Sequence, residues 1–178
     1  MPSRHTSSRH TSFPIAALIG AVLAAAIYPA LARATPPATM LTGRVSVVDG
    51  DTLRMGDARV RLYGIDAPER AQHCDDGAGV AMPCGMMATA RLADMVDGRI
   101  VGCEPRNTDR YGRLVAICWA GGRNINRAMV QTGWAEAYRA YAIDYVPDER
   151  MARRRQRGVW AMAYTPAAAY RAARRHRR

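Results

Sequence analysis

The chain has 178 residues and a net charge of +11, from 26 basic residues against 15 acids, and every basic residue is an arginine. This length is that of one modest globular domain with extensions, and it excludes an array of several ordinary domains. The excess of positive charge favours a polyanionic partner, whose binding would depend strongly on salt.

The first 34 residues have the order of a secretory signal. Arg4 and Arg9 precede an apolar stretch over residues 15–28, and an Ala-x-Ala site follows at residues 32–34. A membrane anchor is the alternative, but the stretch is shorter than the ~20 apolar residues that a spanning helix needs. We therefore predict a cleaved leader, a periplasmic or secreted protein, and no stable membrane association after cleavage. The predicted divisions are a signal peptide over 1–34, a linker over 35–41, a domain over 42–160 and a basic tail over 161–178.

The domain begins with short strand patterns and continues with helical ones. Strands are predicted at 43–48, 52–56, 58–63, 99–104 and 113–119. A helix is predicted at 85–97, where Ala88, Leu92, Met95 and Val96 share one face, a second at 124–132, and a third from Pro147 to Gly158. Short strands with helices scattered around them predict an α+β domain rather than a parallel sheet.

Acids and arginines recur in three clusters along these elements. They are Asp49-Gly50-Asp51-Thr52, then Arg61 with Asp66-Ala67-Pro68-Glu69, then Asp109-Arg110-Tyr111-Gly112-Arg113. Each cluster alone also suits a turn, because Gly accepts positive φ, Asp bonds nearby backbone and Pro fixes φ. Together they include the three carboxylates and two guanidiniums that a metal-assisted attack of water on a phosphodiester requires.

Four cysteines in an exported chain predict two disulfides. Cys74 and Cys84 flank a Gly-rich loop, whereas Cys103 and Cys118 lie in two apolar runs that should be neighbouring antiparallel strands, so we pair them in this way. Zinc is the alternative, but no pair has the Cys-x₂₋₄-Cys spacing and His73 is the one histidine of the predicted domain.

The three clusters and their spacing resemble the staphylococcal (micrococcal) nuclease, or thermonuclease, family from about Thr42 to Trp160. The resemblance implies a five-stranded OB-type β-barrel with three helices and a Ca²⁺-dependent hydrolysis of DNA and RNA. It identifies Asp51 and Asp66 as metal carboxylates and the backbone carbonyl of Ala67 as a further ligand. A segment with Cys74 and Cys84 replaces the family's Lys-rich loop.

By the same resemblance, Glu69 orients or deprotonates water, and Arg61 and Arg113 clamp the phosphate. Arg110 and Tyr111 are predicted to contact the substrate, and either Tyr138 or Tyr141 corresponds to a second tyrosine of the family.

The predicted function is that of an exported, monomeric, Ca²⁺-dependent nuclease with little base specificity that leaves 3′-phosphates. The alternative is a non-catalytic OB-type module that binds single-stranded nucleic acid through the same basic surface. Such modules usually lose the acids that this chain keeps.

Arginines also gather near the end of the chain. Four of them, Arg150, Arg153, Arg154 and Arg157, form one stripe of the third helix, which we interpret as a solvated face. Five more lie between Arg171 and Arg178. They belong either to an irregular tail or to a short helix that Thr165-Pro166 would begin.

Overall fold

The computed structural model describes residues 39–177, so the predicted signal peptide and most of the predicted linker lie outside the described residues. Within that range, no helix is both long and apolar enough to cross a membrane. The strands are β1 Leu41–Gly43, β2 Ser46–Asp49, β3 Thr52–Met55, β4 Ala58–Leu62, β5 Ile65–Asp66, β6 Cys74–Asp75, β7 Ala81–Met82, β8 Val101–Thr108, β9 Leu114–Ala120, β10 Arg123–Asn124 and β11 Glu136–Ala137. The helices are α1 Cys84–Val96, α2 Ile125–Gln131, α3 Val146–Arg154 and α4 Ala167–His176, with one 3₁₀ turn at Gly158–Ala161.

The main sheet curls into a barrel. Its strand order is β1-β8-β9-β4-β3-β2, and β10 pairs with β9. Only Arg44 and Val45 separate β1 from β2, although these strands lie at the two ends of that order. The ends of the sheet must therefore lie side by side, as in a curled OB-type sheet. The predicted α+β fold with an OB-type barrel is confirmed, and the predicted first strand is two short strands with a break between them.

The helical stripes predicted from the sequence face the core. Ala88 and Leu92 of α1 are fully buried against the sheet, and Met95 and Val96 are 6% exposed. In α2, Asn124 caps the helix by accepting the backbone N–H of Arg127 at 2.9 Å. Periodicity and capping together therefore place both helices correctly.

The third helix ends earlier than predicted. It stops at Arg154, Gln156 adopts a φ of +48°, and the chain then turns at Gly158. A Cβ on Gly158 would lie 2.4 Å from the carbonyl oxygen of Gly133, so only glycine permits this close approach. The prediction that the helix continues to Gly158 is wrong because this backbone contact outweighs the helix propensity of the arginines.

The last segment of the chain is helical, so residues 39–177 contain four α-helices: the three predicted for the domain and the short terminal helix that was one of two alternatives for the tail. Helix α4 begins directly after Pro166. The carboxylate of Glu136 accepts the Tyr164 hydroxyl at 2.7 Å and the backbone N–H of Ala167 at 3.0 Å. Because an acid stabilises the first turn of a helix, this contact fixes the start of α4.

Both predicted disulfides are present. Cys103 and Cys118 lie directly opposite each other on β8 and β9, and Cys74 is bonded to Cys84 at the beginning of α1. All four cysteines are buried.

Candidate active site

A tight turn between β2 and β3 positions the first predicted metal ligand. Asp49 accepts the backbone N–H of Asp51 at 3.1 Å. A Cβ on Gly50 would lie 2.7 Å from the Cβ of Ala67, so the turn packs closely on the loop after β5. That packing allows the carboxylate of Asp51 to accept the Ala67 N–H at 2.8 Å and the Thr52 hydroxyl at 3.1 Å.

Arg61 joins the two predicted metal carboxylates. It lies opposite Thr52 in the β3–β4 pairing, and its guanidinium forms an ion pair with Asp51 and a 2.8 Å hydrogen bond with Asp66. The carboxylates are 4% exposed and the guanidinium side chain is 16% exposed. Burial lowers the pKa of Arg61, while Asp66 acts in the opposite direction. Its ion pairs with Asp51 and Asp66 favour the charged form of the guanidinium.

Glu69 lies on a loop that is held against the first turn of α1. The Gln72 side chain accepts the Glu69 N–H at 3.2 Å, and the carbonyl of Gln72 accepts the N–H of Gly85 at 3.1 Å. A Cβ on Gly85 would lie 1.9 Å from the Glu69 carbonyl oxygen. The Cys74–Cys84 disulfide closes the same region, so the loop is held from two sides while the Glu69 side chain remains 41% exposed.

Arg113 is oriented by Asp109 in the turn between β8 and β9. One Asp109 oxygen accepts the Tyr111 and Arg113 backbone N–H groups, and the other accepts Nε and Nη2 of Arg113, both at 2.7 Å. Burial disfavours ionisation of Asp109, but the hydrogen bonds from Arg113 and Tyr111 outweigh it and lower the pKa. The guanidiniums of Arg110 and Arg113 lie 4.9 and 5.6 Å from the centre of the Tyr111 ring, and Tyr111 is 70% exposed.

Members of all three clusters line one pocket of about 730 Å³, namely Asp51, Arg61, Glu69, Asp109, Arg110, Tyr111 and Arg113. Asp66 does not line it and lies behind Arg61 and Arg171, which do. Tyr63, Tyr138 and Tyr141 line the same pocket, and the Tyr138 and Tyr141 rings are 4.9 Å apart. The structure therefore brings the three sequence clusters together, and it places both candidate tyrosines at the pocket rather than one of them. Such a pocket offers charged donors for phosphate and aromatic faces for bases.

Arg171 of α4 also reaches this pocket, which the sequence did not predict. Its guanidinium donates to both oxygens of Asp66, at 3.0 and 2.7 Å, and to Glu69 at 2.8 Å. The hydrogen bonds with Asp66 are the main cause that raises the pKa of Arg171. The two partners are 105 residues apart in the chain, and the one available signal was a possible helix start at Pro166.

The donor chemistry fits a hard divalent cation. Asp51 and Asp66 lie within the span of one guanidinium, and with the Ala67 carbonyl they would offer only oxygen ligands. Among residues 39–177, no group of three or more His, Cys, Asp or Glu is placed to hold a metal ion. A cation here would therefore bind through two carboxylates, backbone oxygen and water.

Comparison with known proteins gives a consistent family relationship. Residues 59–162 match the family model described as "Staphylococcal nuclease homologue". The chain is 40% identical over 117 residues to "Succinoglycan biosynthesis protein ExoI" of Rhizobium meliloti, covering 65% of this chain and 60% of that protein. It is 36% identical over 134 residues to "Micrococcal nuclease" of Shigella flexneri, covering 66% of this chain and 71% of that protein. It is 35% identical over 126 residues to an "Uncharacterized endonuclease" of Escherichia coli O157:H7, covering 67% and 76% respectively.

Proposed function

Because the chain belongs to the family of staphylococcal nuclease homologues, we propose that this nuclease uses Ca²⁺ to hydrolyse DNA and RNA with little base specificity, leaving 3′-phosphates. The observation that carries the proposal is the joining of Asp51 and Asp66 by Arg61 at a pocket that Glu69 and Arg113 also line. Carboxylates for a cation, a carboxylate for water and two guanidiniums for phosphate are the parts that phosphodiester hydrolysis needs.

Asp51, Asp66 and the Ala67 carbonyl would hold the cation, which supplies polarisation of a phosphoryl oxygen and charge neutralisation. Arg61 and Arg113 bind the phosphate oxygens, because each guanidinium presents a planar pair of donors. Both are oriented in advance, Arg61 by the buried carboxylates and Arg113 by Asp109.

Glu69 is the base in this proposal. Its exposed carboxylate takes a proton from water as the water oxygen bonds to phosphorus. The bond from phosphorus to the 5′ oxygen breaks, that oxygen takes a proton from solvent water as it leaves, and Glu69 returns its proton to solvent. The phosphate then remains on the 3′ oxygen of the other fragment.

Little base specificity follows from the types of contact that the pocket offers. Arginines bind the backbone, and aromatic faces such as those of Tyr111 and Tyr141, which are 70% and 63% exposed, stack on any base. Without residues 1–34 the chain keeps 23 arginines against 15 acids, a charge of +8 that concentrates either nucleic acid.

We also propose that the nuclease is exported to the periplasm or medium as a monomer, with no stable membrane association after cleavage of its leader. Two disulfides are characteristic of oxidising compartments, which supports export. Mass spectrometry of the N-terminus of protein recovered from each cell fraction tests this point, and an intact leader in the membrane fraction would contradict it.

The function is tested by incubating the protein with labelled single-stranded DNA or RNA in Ca²⁺, in Mg²⁺ and in excess chelator. Ca²⁺ should support cleavage better than Mg²⁺, because a loop-built oxygen site suits a geometrically tolerant cation, and chelator should abolish it. Asp51→Asn should lose activity, whereas Asp57→Asn, the same charge change at an exposed turn, should not. Full cleavage in chelator would refute the metal dependence. Tight binding without cleavage in Ca²⁺ would show instead the non-catalytic binding module.

A further inference from the structure

Arg171 is a further guanidinium at the active site, beside Arg61 and Arg113, and the proposed reaction does not need it. Its side chain is 31% exposed, and its forked donors bind both oxygens of Asp66 at 3.0 and 2.7 Å. The same guanidinium also binds Glu69 at 2.8 Å. It therefore contacts one proposed metal ligand and the proposed base at the same time.

The helix that carries Arg171 is fixed to the domain at its beginning. Ala167 is fully buried, and its N–H is bound by Glu136. The Gln72 side chain donates to the Thr165 carbonyl at 2.6 Å, and the Tyr170 hydroxyl donates to the Ala71 carbonyl at 3.2 Å. These contacts lie on both sides of the first turn of α4. Arg171 is thus presented to the carboxylates by a docked helix rather than by a free terminus.

Arg171 uses the oxygens that a cation would require. One Asp66 oxygen accepts Arg61 at 2.8 Å and Arg171 at 3.0 Å, and the other accepts Arg171 at 2.7 Å. A carboxylate has about four lone-pair sites, so guanidiniums occupy most of them. A divalent cation at Asp66 would also be repelled by the adjacent charge of Arg171. The Asp66 carboxylate therefore binds the cation and Arg171 at the same time only if each contact is weakened.

We propose that α4 is an autoinhibitory element whose Arg171 competes with the divalent cation for Asp66 and, in the cation-free protein, also neutralises Glu69. This inference rests on the proposed function and adds a regulatory contact to the same site. Cation binding then requires release of Arg171 from Asp66. The apparent affinity is the intrinsic affinity reduced by the fraction of molecules in which Arg171 is released. The nuclease would therefore be held inactive at low free Ca²⁺.

Isothermal titration of Ca²⁺ into the full chain, without nucleic acid, tests the competition directly. Arg171→Gln should bind Ca²⁺ roughly tenfold more tightly or better, because it keeps a polar side chain but loses the competing charge. Arg174→Gln is the matched control. Arg174 is an exposed residue three positions further along α4 whose guanidinium lies 5.8 Å from the Tyr170 ring, and its loss should change the affinity less than about twofold.

Hydrogen exchange of the same proteins gives a second measurement. In the wild-type protein, Ca²⁺ should increase exchange of the α4 amides after Arg171, whereas in Arg171→Gln their exchange should not respond to Ca²⁺. Equal Ca²⁺ affinity for Arg171→Gln and Arg174→Gln would overturn the competition. It would do so even if Arg171→Gln cleaved more slowly, because Arg171 would then be a phosphate ligand. Absence of Ca²⁺ binding in the wild type and both variants would overturn the proposed function as well, so the two failures are distinguishable.

Discussion

Replacing Arg61 with alanine removes the cation that joins two buried carboxylates, and its effect on stability can be worked out from the contacts. The Asp51 and Asp66 side chains are each 4% exposed. Removing one partner of a buried ion pair typically costs ~3–5 kcal/mol, because the remaining charge is buried without compensation. Asp66 retains Arg171, and Asp51 retains the Thr52 hydroxyl and the Ala67 N–H. We therefore expect the lower end of that range.

The expected loss for Arg61→Ala in chelator is about 3 kcal/mol. For a chain of this size it corresponds to a fall in Tm of roughly 6–12 °C. Saturating Ca²⁺ should recover part of this loss, since a cation between the carboxylates replaces the missing positive charge. Turnover should fall by ~10² or more even in Ca²⁺, because the phosphate loses one clamp. Arg61→Lys should recover stability better than turnover, since an ammonium lacks the planar fork.

Urea denaturation with chelator and with Ca²⁺ measures the stability, and cleavage of a labelled oligonucleotide measures the turnover. Arg54→Ala is the control, because Arg54 is exposed on β3 and its removal changes the charge equally. If the free energy of unfolding in chelator were the same for Arg61→Ala and Arg54→Ala, the guanidinium would not be compensating buried charge. An unfolding midpoint of Arg61→Ala that ignored Ca²⁺ would contradict the proposed cation position.

Three further changes probe other parts of the site. Glu69→Gln should reduce the rate of single-turnover cleavage by orders of magnitude, with little change in the oligonucleotide affinity measured by fluorescence anisotropy. Comparable losses of rate and of affinity would contradict the role of Glu69 as base. Removing the Cys103–Cys118 disulfide, whose cysteines are 15 residues apart, should cost ~3 kcal/mol in calorimetry and also lower activity, because its loop contains the Arg113 clamp. The lowered pKa of Asp109 means that the folded state favours its ionised form. Its stabilisation is present above the unfolded pKa of about 3.9 and is lost as the pH falls through the lower folded value. In urea denaturation, the wild-type protein should therefore have a higher free energy of unfolding than Asp109→Asn at pH 6, and this difference should shrink below pH 4. A difference that stayed constant with pH would refute this assignment.

Local patterns were sufficient to predict most of the fold. Residues of α1 such as Ala88 and Leu92 are buried because they recur at helical spacing, and the alternation in β4 places Arg61 where it can reach the acids of the following loop. The disulfide between Cys103 and Cys118 was predictable because each cysteine lies in an apolar run and the two runs were expected to be neighbouring antiparallel strands, as they are. The acids and arginines of the three clusters meet because each lies at the end of a strand or in a turn.

The errors arise where backbone contacts between distant segments decide the conformation. Helix α3 ends early because Gly158 packs against Gly133, and helix propensity contains no information about that approach. The predicted first strand is interrupted at Arg44 and Val45 because β1 and β2 pair with opposite ends of the sheet. Curling of the sheet imposes this break, whereas the residues themselves read as one continuous strand.

The contact between Arg171 and Asp66 has the same kind of origin. Asp66 of β5 pairs with Glu136 of β11, so a strand pair only two residues long positions two carboxylates together. The Glu136 carboxylate binds the start of α4, and the Asp66 carboxylate binds Arg171 within the first turn and a half of that helix. Burial raises the pKa of Glu136, although the Tyr164 hydroxyl and the Ala167 N–H act against that rise. The position of Arg171 therefore depends on strand pairing far from it in the chain. A segment rich in Ala and Arg can indicate a helix there, but it cannot indicate which carboxylate the helix contacts.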